Sequence, residues 1–272
     1  MSSGAPRYGI SDLLRVMERL RDPETGCPWD VAQTFGTIVS STLEECYELV
    51  AAIEQEDFPH VAEELGDVLF QVVFYAQLAR EQNLFSFEDI VHTLVDKLLR
   101  RHPHVFNDGA IEAVVVEAVS VDQVMQSWEA IKQSEREAKS QSGVLADIPL
   151  ALPALPRAQK LQKRAARVGF DWRHSTPVLG RLQEEIQELQ AAMADKSPES
   201  IADEMGDVLF TCVNLARHLG VDAEASLRKS SLKFESRFGQ MEGMAAERGL
   251  VFDELDTAVL DALWDEVKLA SQ

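Results

Sequence analysis

Cysteine and long apolar segments are scarce in this sequence of 272 residues. The three cysteines, Cys27, Cys46 and Cys212, are too few and too scattered for a disulfide framework or a CxxC zinc site, and they fit a reducing compartment. The first residues lack the apolar core of a signal peptide. The longest apolar stretch, residues 68–79, contains two glutamines and falls short of the ~20 residues that a membrane span needs. We therefore expect a soluble cytoplasmic protein that does not enter a membrane.

Lysine and arginine are also scarce relative to the acidic residues. The chain has 26 lysine and arginine residues against 46 aspartate and glutamate residues, which gives a formal net charge of −20. A field of this sign repels nucleic acid and anionic lipid, so we expect neither as a partner. Any anionic substrate must arrive together with cations.

Apolar residues recur with a helical period along most of the chain. The predicted helices span residues 11–20, 38–53, 60–80, 87–100, 122–132, 178–194, 199–218, 222–238 and 254–269. Asp57, two residues before Pro59, has the pattern of a helix N-cap followed by an early proline, and the Ser197–Pro198 step repeats it. Residues 114–121, VVVEAVSV, are a strand-like candidate for a short hairpin or an irregular insert. The predicted fold class is all-α.

Two stretches rich in acids indicate that the chain is internally duplicated. TLEECYEL in the first half matches LQEEIQEL in the second, and EELGDVLF matches DEMGDVLF. We call the matched acids the first acid set, Glu45, Glu48, Glu64 and Asp67, and the second acid set, Glu185, Glu188, Glu204 and Asp207. The step from the first to the third member is 19 residues in both sets.

Basic and aromatic residues follow each acid set at matched spacings. They are Lys97, Arg101, Trp128 and Lys132 in the first half, and Lys233, Arg237, Trp264 and Lys268 in the second. In both halves the arginine follows the first lysine by four residues, the tryptophan follows the arginine by 27, and the last lysine follows the tryptophan by four. A shared ancestral unit explains these spacings.

The repeat also predicts where the domains lie. An offset of 140 residues, from Glu45 to Glu185, is too long for a solenoid, so each copy should be a domain. Residues 133–157 change from a charged helix tail to a Ser/Gly step and then three prolines, which do not continue a helix interior. We predict an N-terminal domain over residues 1–134, a linker over 135–157 and a C-terminal domain over 158–272.

The acids of each set are spaced to share a helix face. A separation of three residues places two carboxylates on one side of a helix. On the first helix this side lies opposite an apolar stripe, which comprises Leu43, Cys46, Val50 and Ile53. The next helix, which carries Glu64 and Asp67, is apolar nearly all round and should be buried. Burying unpaired carboxylates is costly, so these acids need positive partners.

Two kinds of partner answer this need. Lysine and arginine on neighbouring helices would make the acids structural ion pairs. A hard divalent cation is the other interpretation: because the acid sets contain no histidine, they suit Mg²⁺ or Mn²⁺ rather than zinc or a di-iron centre. Magnesium binds carboxylates together with substrate phosphates, and the matched lysines and arginines would hold further phosphate oxygens. The repeated pattern therefore favours a site for a nucleotide polyphosphate.

The acid motifs, together with RDPETGCPWD, KLLRRHPHVF, PRAQKLQKRAARVGFDW and ALWDEVK, resemble the MazG family of the all-α NTP pyrophosphatase superfamily over nearly the whole chain. The resemblance implies two tandem helical domains whose four-helix-bundle packing is completed in a homodimer. It also implies Mg²⁺-dependent hydrolysis of nucleoside triphosphates to the monophosphate and pyrophosphate, with Mn²⁺ as a substitute ion.

The resemblance implies a role for each matched residue. Both acid sets would be metal ligands, and the catalytic acids would be the second acid set with Glu184 behind it. The residues that would contact substrate in the second half are Arg181, Asp203, Lys233, Arg237, Trp264 and Lys268. The last four of these match Lys97, Arg101, Trp128 and Lys132 in the first half. The alternative for each tryptophan is an aromatic of the core or of the dimer interface.

The two halves also differ. Arg181 precedes Glu185 by four residues, whereas Ser41 stands at the matched position of the first half. The step from the aspartate of the acid set to the next matched lysine is 30 residues in the first half and 26 in the second. Residues 107–121 are longer and more apolar than the resemblance leads us to expect. We therefore predict that the second domain is the main catalyst.

Metal-activated water is the nucleophile that this pattern predicts. No Ser-His-Asp or Cys-His set and no GxxxxGK[ST] loop is recognisable in the sequence, which disfavours covalent and P-loop mechanisms. The alternative function is a nucleotide-binding regulator whose catalysis has decayed. An inert helical scaffold would not explain the duplicated acids and bases.

Overall fold

The computed structural model describes residues 7–106, 109–112, 119–138 and 143–270. Within these ranges all regular secondary structure is helical, which confirms the predicted all-α fold class. The chain divides into two compact units, which we call the first unit (Met1–Ser134) and the second unit (Glu135–Gln272). No described helix combines the length and the apolar character that a membrane crossing requires.

The first unit is built around a helical hairpin. Its helices are α1 (Ile10–Leu20), α2 (Pro28–Ala32), α3 (Val39–Glu54), α4 (Phe58–Glu81) and α5 (Phe87–Arg101), and α6 (Val121–Ala138) runs across its boundary. A three-residue turn joins α3 to α4, so the two helices pack along each other in opposite directions. Both α1 and α5 pack on α4. The first acid set lies on the α3–α4 hairpin.

Apolar side chains of α1 and α4 form the core of the first unit. Met17 of α1 and Phe74 of α4 are almost completely buried. Arg21 is buried beside them: its guanidinium lies 5.3 Å from the centre of the Phe74 ring and donates hydrogen bonds of 2.8 and 2.6 Å to the carboxylate of Glu81. This ion pair ties the end of α1 to the end of α4, and so fixes the helix that carries two of the acids.

The second unit repeats the hairpin. Its helices are α7 (Ala154–Arg167), α8 (Ser175–Asp195), α9 (Pro198–His218), α10 (Ala223–Glu247) and α11 (Thr257–Ala270), with a 3-10 turn at Phe252–Glu254. Helices α8 and α9 pack along each other, α7 packs on α9, and α10 packs on α11. An apolar cluster between α10 and α11 comprises Met241, Ala245, Leu263 and Val267. The second acid set therefore lies on α8 and α9, and the matched basic residues lie on α10 and α11.

The helix starts follow the sequence closely. Asp57 accepts a hydrogen bond of 3.3 Å from the backbone N–H of His60, and Ser197 accepts one of 3.4 Å from Ser200, which confirms both predicted N-caps. Helices α6 and α10 run beyond their predicted ends. The added residues of α6 are mostly polar, whereas the added turns of α10 carry Met241 and Ala245 of the apolar cluster with α11. Residues 114–118 of the strand-like candidate lie outside the described residues.

Two helices were not predicted. Helix α2 has only five residues, too few to show an apolar period. Helix α7 carries many basic and polar residues, and its buried residue is Gln162 rather than an apolar side chain. Its N-cap is Pro153, so its first turn begins inside residues 135–157, which the sequence assigned to a linker.

The apolar stripe of α3 is largely exposed. Leu43 and Ile53 are each 54% exposed, and Cys46 is exposed as well. Ala52, which follows the acids on the opposite side of α3, is fully buried. The acid side of α3 thus packs in the hairpin, while the apolar stripe faces water in the single chain.

Candidate metal and substrate site

Three acids of the second acid set come together between α8 and α9. Glu185 and Glu188 lie one turn apart on α8, Glu204 lies on α9, and one carboxylate oxygen from each lies within 4.8 Å of the other two. Glu185 is only 4% exposed, whereas Glu188 is exposed and Glu204 is half-buried. A short turn folds α9 back along α8, so residues about two helical turns on either side of it meet. Acids that are up to 19 residues apart in the sequence are thereby brought together in one cluster.

The first acid set has the same arrangement between α3 and α4. Carboxylate oxygens of Glu45, Glu48 and Glu64 lie within 4.8 Å of one another. Here the buried member is Glu64, which is 6% exposed and lies on the second helix of its hairpin. In the second unit the buried glutamate lies on the first helix. The two sets therefore differ in which carboxylate has lost most of its water.

The aspartates of the two sets lie outside these groups of three. Burial raises the pKa of the Glu45 carboxyl above its usual range, and the negative charge of Asp67 is the next cause. Burial likewise raises the pKa of Glu185; the positive charge of Arg181 opposes this rise, and the charge of Asp207 adds to it. Each aspartate thus acts electrostatically on one glutamate of its set. Added positive charge nearby would stabilise the ionised form of both glutamates.

Each set contains one buried carboxylate oxygen that has no hydrogen-bond donor among the described residues. Oε2 of Glu64 and Oε2 of Glu185 are buried and accept no hydrogen bond from the described residues. A buried polar atom in this state destabilises the fold unless another partner reaches it. A divalent cation would be such a partner, and an all-oxygen donor set suits Mg²⁺ or Mn²⁺. The residues present therefore fit such an ion in both units.

The nitrogen partners of the two buried glutamates differ. In the second unit, Nε of Arg181 lies 2.7 Å from Oε1 of Glu185, and its Nη1 lies 3.1 Å from Oε2 of Glu184. In the first unit, Nε2 of His60 lies 2.7 Å from Oε1 of Glu64. His60 was not among the residues predicted from the sequence. Its position four residues before Glu64, one turn away on the same helix face, was the available signal.

The predicted phosphate-binding residues of the second half lie apart from the acids in sequence. Lys233 is exposed on α10, and Arg237 is half-buried one turn further on. Lys268 of α11 places Nζ 2.7 Å from Oδ1 of Asp265. Among the described residues, no ion pair or hydrogen bond joins these three cations to the second acid set. Their contact with a shared substrate stays a prediction.

Trp264 packs inside the second unit. Its ring centre lies 5.5 Å from that of Phe234, and it contacts the apolar cluster between α10 and α11. This packing is what the core alternative for the tryptophan describes. Asp203, by contrast, is exposed near the start of α9.

The matching residues of the first half are partly described. Lys97 and Arg101 are half-buried in the C-terminal half of α5, and Trp128 is half-buried on α6. The side chain of Lys132 lies outside the described residues, although its backbone belongs to α6. Helix α4 carries two of the acids. Both α3, which carries the other two, and α5, which carries the two cations, pack on it.

Two segments of the chain match one known domain. The MazG nucleotide pyrophosphohydrolase domain matches residues 33–106 and again residues 174–241. The chain belongs to the MazG family. The two MazG segments include both acid sets and the cations of α5 and α10, whereas Trp128 and Trp264 lie outside them. The MazG resemblance that the motifs carry is confirmed, and so is the tandem arrangement.

Relatives with assigned names cover almost the whole chain. This chain is 51% identical over 261 residues to the nucleoside triphosphate pyrophosphohydrolase of Escherichia coli strain K12. The match covers 95% of this chain and 97% of that protein. The chain is 43% identical over 259 residues to the nucleoside triphosphate pyrophosphohydrolase/pyrophosphatase MazG of Thermotoga maritima, across 95% of each. A crystal structure of a mazG-related protein from Thermotoga maritima covers 46% of this chain and 99% of its own, at 25% identity and a TM-score of 0.38.

Proposed function

We propose that this hydrolase of phosphoric anhydride bonds converts nucleoside triphosphates and water into nucleoside monophosphates and pyrophosphate, with Mg²⁺ or Mn²⁺. The observation that carries the proposal is the buried Oε2 of Glu185, which has no donor in the described chain and lies in a cluster of three carboxylates. Membership of the MazG family and the names of the two close relatives support the same reaction.

The second acid set would hold the ion. Glu185, Glu188 and Glu204 already gather their oxygens, and Asp207 lies close enough to act on the Glu185 carboxyl. A bound divalent ion supplies a Lewis acid that activates water and offsets phosphate charge. The carboxylate of Glu188 is the exposed member of the cluster, so it can accept a proton from a water at the site.

The cations of α10 and α11 would bind the phosphates. Lys233 is exposed, and the guanidinium of Arg237 has the fork that suits phosphate oxygens. Positive charge there would stabilise the leaving pyrophosphate. The pair between Lys268 and Asp265 does not prevent a substrate role, because exposed pairs of this kind are worth at most about 1 kcal/mol. Phosphate can replace Asp265 as the partner of Lys268.

A homodimer is part of the proposal. Both hairpins expose large apolar side chains in the single chain, among them Leu43, Ile53, Leu65, Leu69, Ile186, Met193, Met205 and Leu209. A two-helix hairpin with an apolar outer face is half of a four-helix bundle, and a second copy of the chain offers the matching half. Large exposed apolar side chains in such numbers are typical of interfaces.

The second unit would carry most of the turnover. Arg181 brings positive charge to its acids, whereas Ser41 at the matched position brings none. The predicted domains, residues 1–134 and 158–272 joined by a linker over 135–157, belong to this proposal. The three cysteines are free thiols, in keeping with a reducing cytoplasm.

Phosphorus NMR tests the reaction directly. The full chain with an NTP and Mg²⁺ should release pyrophosphate and the monophosphate in equal amounts, and Glu185→Gln should release neither at a comparable rate. Orthophosphate and the diphosphate as products would contradict the proposed reaction. Saturable NTP binding without turnover would instead support the regulator, in which the catalytic step has been lost.

A further inference from the structure

The two hairpins carry the nitrogen partner of the buried glutamate at exchanged positions. The second unit has Arg181 on its first helix and Ser200 on its second, whereas the first unit has Ser41 on its first helix and His60 on its second. Arg181 and His60 each lie one turn before the buried glutamate of their own set, with a nitrogen 2.7 Å from a carboxylate oxygen. The partner thus lies on whichever helix carries the most buried acid.

Arg181 bridges three carboxylates. Its nitrogens lie 2.7 Å from Glu185, 3.1 Å from Glu184 and 3.6 Å from Glu188. The hydrogen bond to Glu184 and the charges of all three acids raise the pKa of the guanidinium further above its usual range. Two of these acids are proposed metal ligands. Arg181 therefore places a permanent positive charge on the oxygens that the ion would use.

His60 does not have this effect. Its Nε2 lies 2.7 Å from one oxygen of one acid, Glu64, and no described ion pair joins it to Glu45 or Glu48. Ser41, at the position that matches Arg181, carries no charge. Among the ion pairs of the described residues, a guanidinium reaches ligand oxygens in the second acid set and not in the first.

We propose that Arg181 competes with the divalent cation for Glu185 and Glu188, so that the second acid set binds Mg²⁺ or Mn²⁺ more weakly than the first. This inference rests on the metal site of the proposed function. Free ions would fill the first unit at lower concentration, and the second unit would fill once the guanidinium is displaced. The displaced guanidinium can then pair with phosphate oxygens, which agrees with the substrate contact predicted for Arg181.

Titration of the full chain with Mn²⁺, followed by electron paramagnetic resonance of the free ion, tests this inference. The unmodified protein should show a tighter and a weaker class of site. Glu64→Gln should remove the tighter class, and Glu185→Gln the weaker one. Arg181→Ser should tighten the weaker class by about tenfold, the factor that ~1.4 kcal/mol of relieved competition gives. The reciprocal change Ser41→Arg should loosen the tighter class.

Arg173→Ser is the matched control. It removes the same charge from an exposed position ahead of α8, about three helical turns before Glu185, and should leave both classes unchanged. Thermal melts add a second readout. Without metal, Arg181→Ser should melt at a lower temperature than the unmodified protein, because the acids lose their counter-ion, and Mn²⁺ should raise its melting temperature by more.

The outcomes separate the inference from the proposed function. Equal affinity of both classes, or unchanged or weaker Mn²⁺ binding by a folded Arg181→Ser variant, would overturn the competition. Absence of Mn²⁺ binding by the unmodified protein would overturn the metal site itself. Tighter binding in Arg181→Ser together with looser binding in Ser41→Arg would support the competition, whatever the rate of hydrolysis.

Discussion

His60 and Glu64 lie one turn apart on α4, with Nε2 of the histidine 2.7 Å from Oε1 of the glutamate, while Oε2 of the same carboxylate is buried without a donor among the described residues. One oxygen of this carboxylate thus has a partner on its own helix, and the other has none among the described residues. The same state recurs at Glu185. Each acid set is therefore a place where added positive charge stabilises the protein.

The two units should contribute unequally to catalysis. Glu185→Gln removes a buried ligand of the second acid set and should lower kcat by about 100-fold or more, since second-unit turnover depends on it. The matched change Glu45→Gln should lower kcat by less than about threefold. Initial rates of pyrophosphate release measure both. Equal losses in the two variants would mean two independent sites, and the reverse order would move catalysis to the first unit.

Chelation should stop turnover. EDTA should abolish hydrolysis and excess Mg²⁺ should restore it. The reason is that the carboxylates of the acid sets cannot act as a Lewis acid without a bound divalent ion. Mg²⁺ should also raise the melting temperature: at 100 times its dissociation constant, a ligand bound only by the folded state adds about 2.7 kcal/mol. Differential scanning calorimetry with and without Mg²⁺ measures this. Full activity in chelator would contradict a metal-dependent reaction.

Trp264 has both a packing role and a predicted substrate role, and two substitutions separate them. Trp264→Ala should lower the free energy of unfolding by about 2–4 kcal/mol, because it empties the space beside Phe234 and the α10–α11 cluster. Trp264→Phe keeps most of that packing and should melt within a few degrees of the unmodified protein. A raised KM for NTP in Trp264→Phe would indicate contact with the nucleotide, whereas unchanged kinetics would leave only the core role.

An ion-pair network should make the second unit sensitive to acid. Hydrogen bonds from Arg217, and then from His218, lower the pKa of the Asp171 carboxyl below its usual value of 3.8. A lowered pKa contributes stability that is present above pH 3.8 and is lost as pH falls through the folded-state value. Asp171→Asn should therefore melt at a lower temperature than the unmodified protein at pH 7. The difference should shrink below pH 3.8, and a constant difference across this range would contradict the linkage.

A charge on the apolar stripe of α3 should disrupt the homodimer. Ile53 is 54% exposed in the single chain, so Ile53→Glu costs the monomer little while it places a charge in the proposed interface. Sedimentation velocity should show the unmodified protein at twice the chain mass and Ile53→Glu at the chain mass. Gln82→Glu, at the exposed end of α4, is the control and should remain dimeric. A monomeric unmodified protein would contradict the proposal.

Much of the fold follows from local patterns in the sequence. The apolar period marks the long helices, and the Asp57 and Ser197 caps mark two helix starts, because both depend on residues only a few positions apart. Repetition of the acid motif indicates the hairpin clusters for the same reason. Helix α7 was not predicted, since its apolar residues are few and mostly alanine and its buried residue is Gln162.

Features that depend on tertiary burial could not be predicted from the sequence. The matched spacing of the acid sets gives no hint that Glu64 is the buried member in one unit and Glu185 in the other. Which acid loses its water depends on how each hairpin packs. His60 remained unnoticed because a histidine one turn from a glutamate is common on helix surfaces. Its importance comes from the burial of Glu64.

The α3–α4 and α8–α9 hairpins have a further consequence for how the protein reaches its native state. Every acid of a set lies within 23 consecutive residues, Glu45 to Asp67 or Glu185 to Asp207, so each cluster closes through contacts of short sequence separation. Such contacts form early, because their loop-closure entropy is small. Mutual repulsion of the carboxylates must therefore be overcome while the hairpin nucleates, before the surrounding helices dock. If the proposed divalent ion binds at that moment, we expect it to lower the kinetic barrier to folding as well as to stabilise the finished structure.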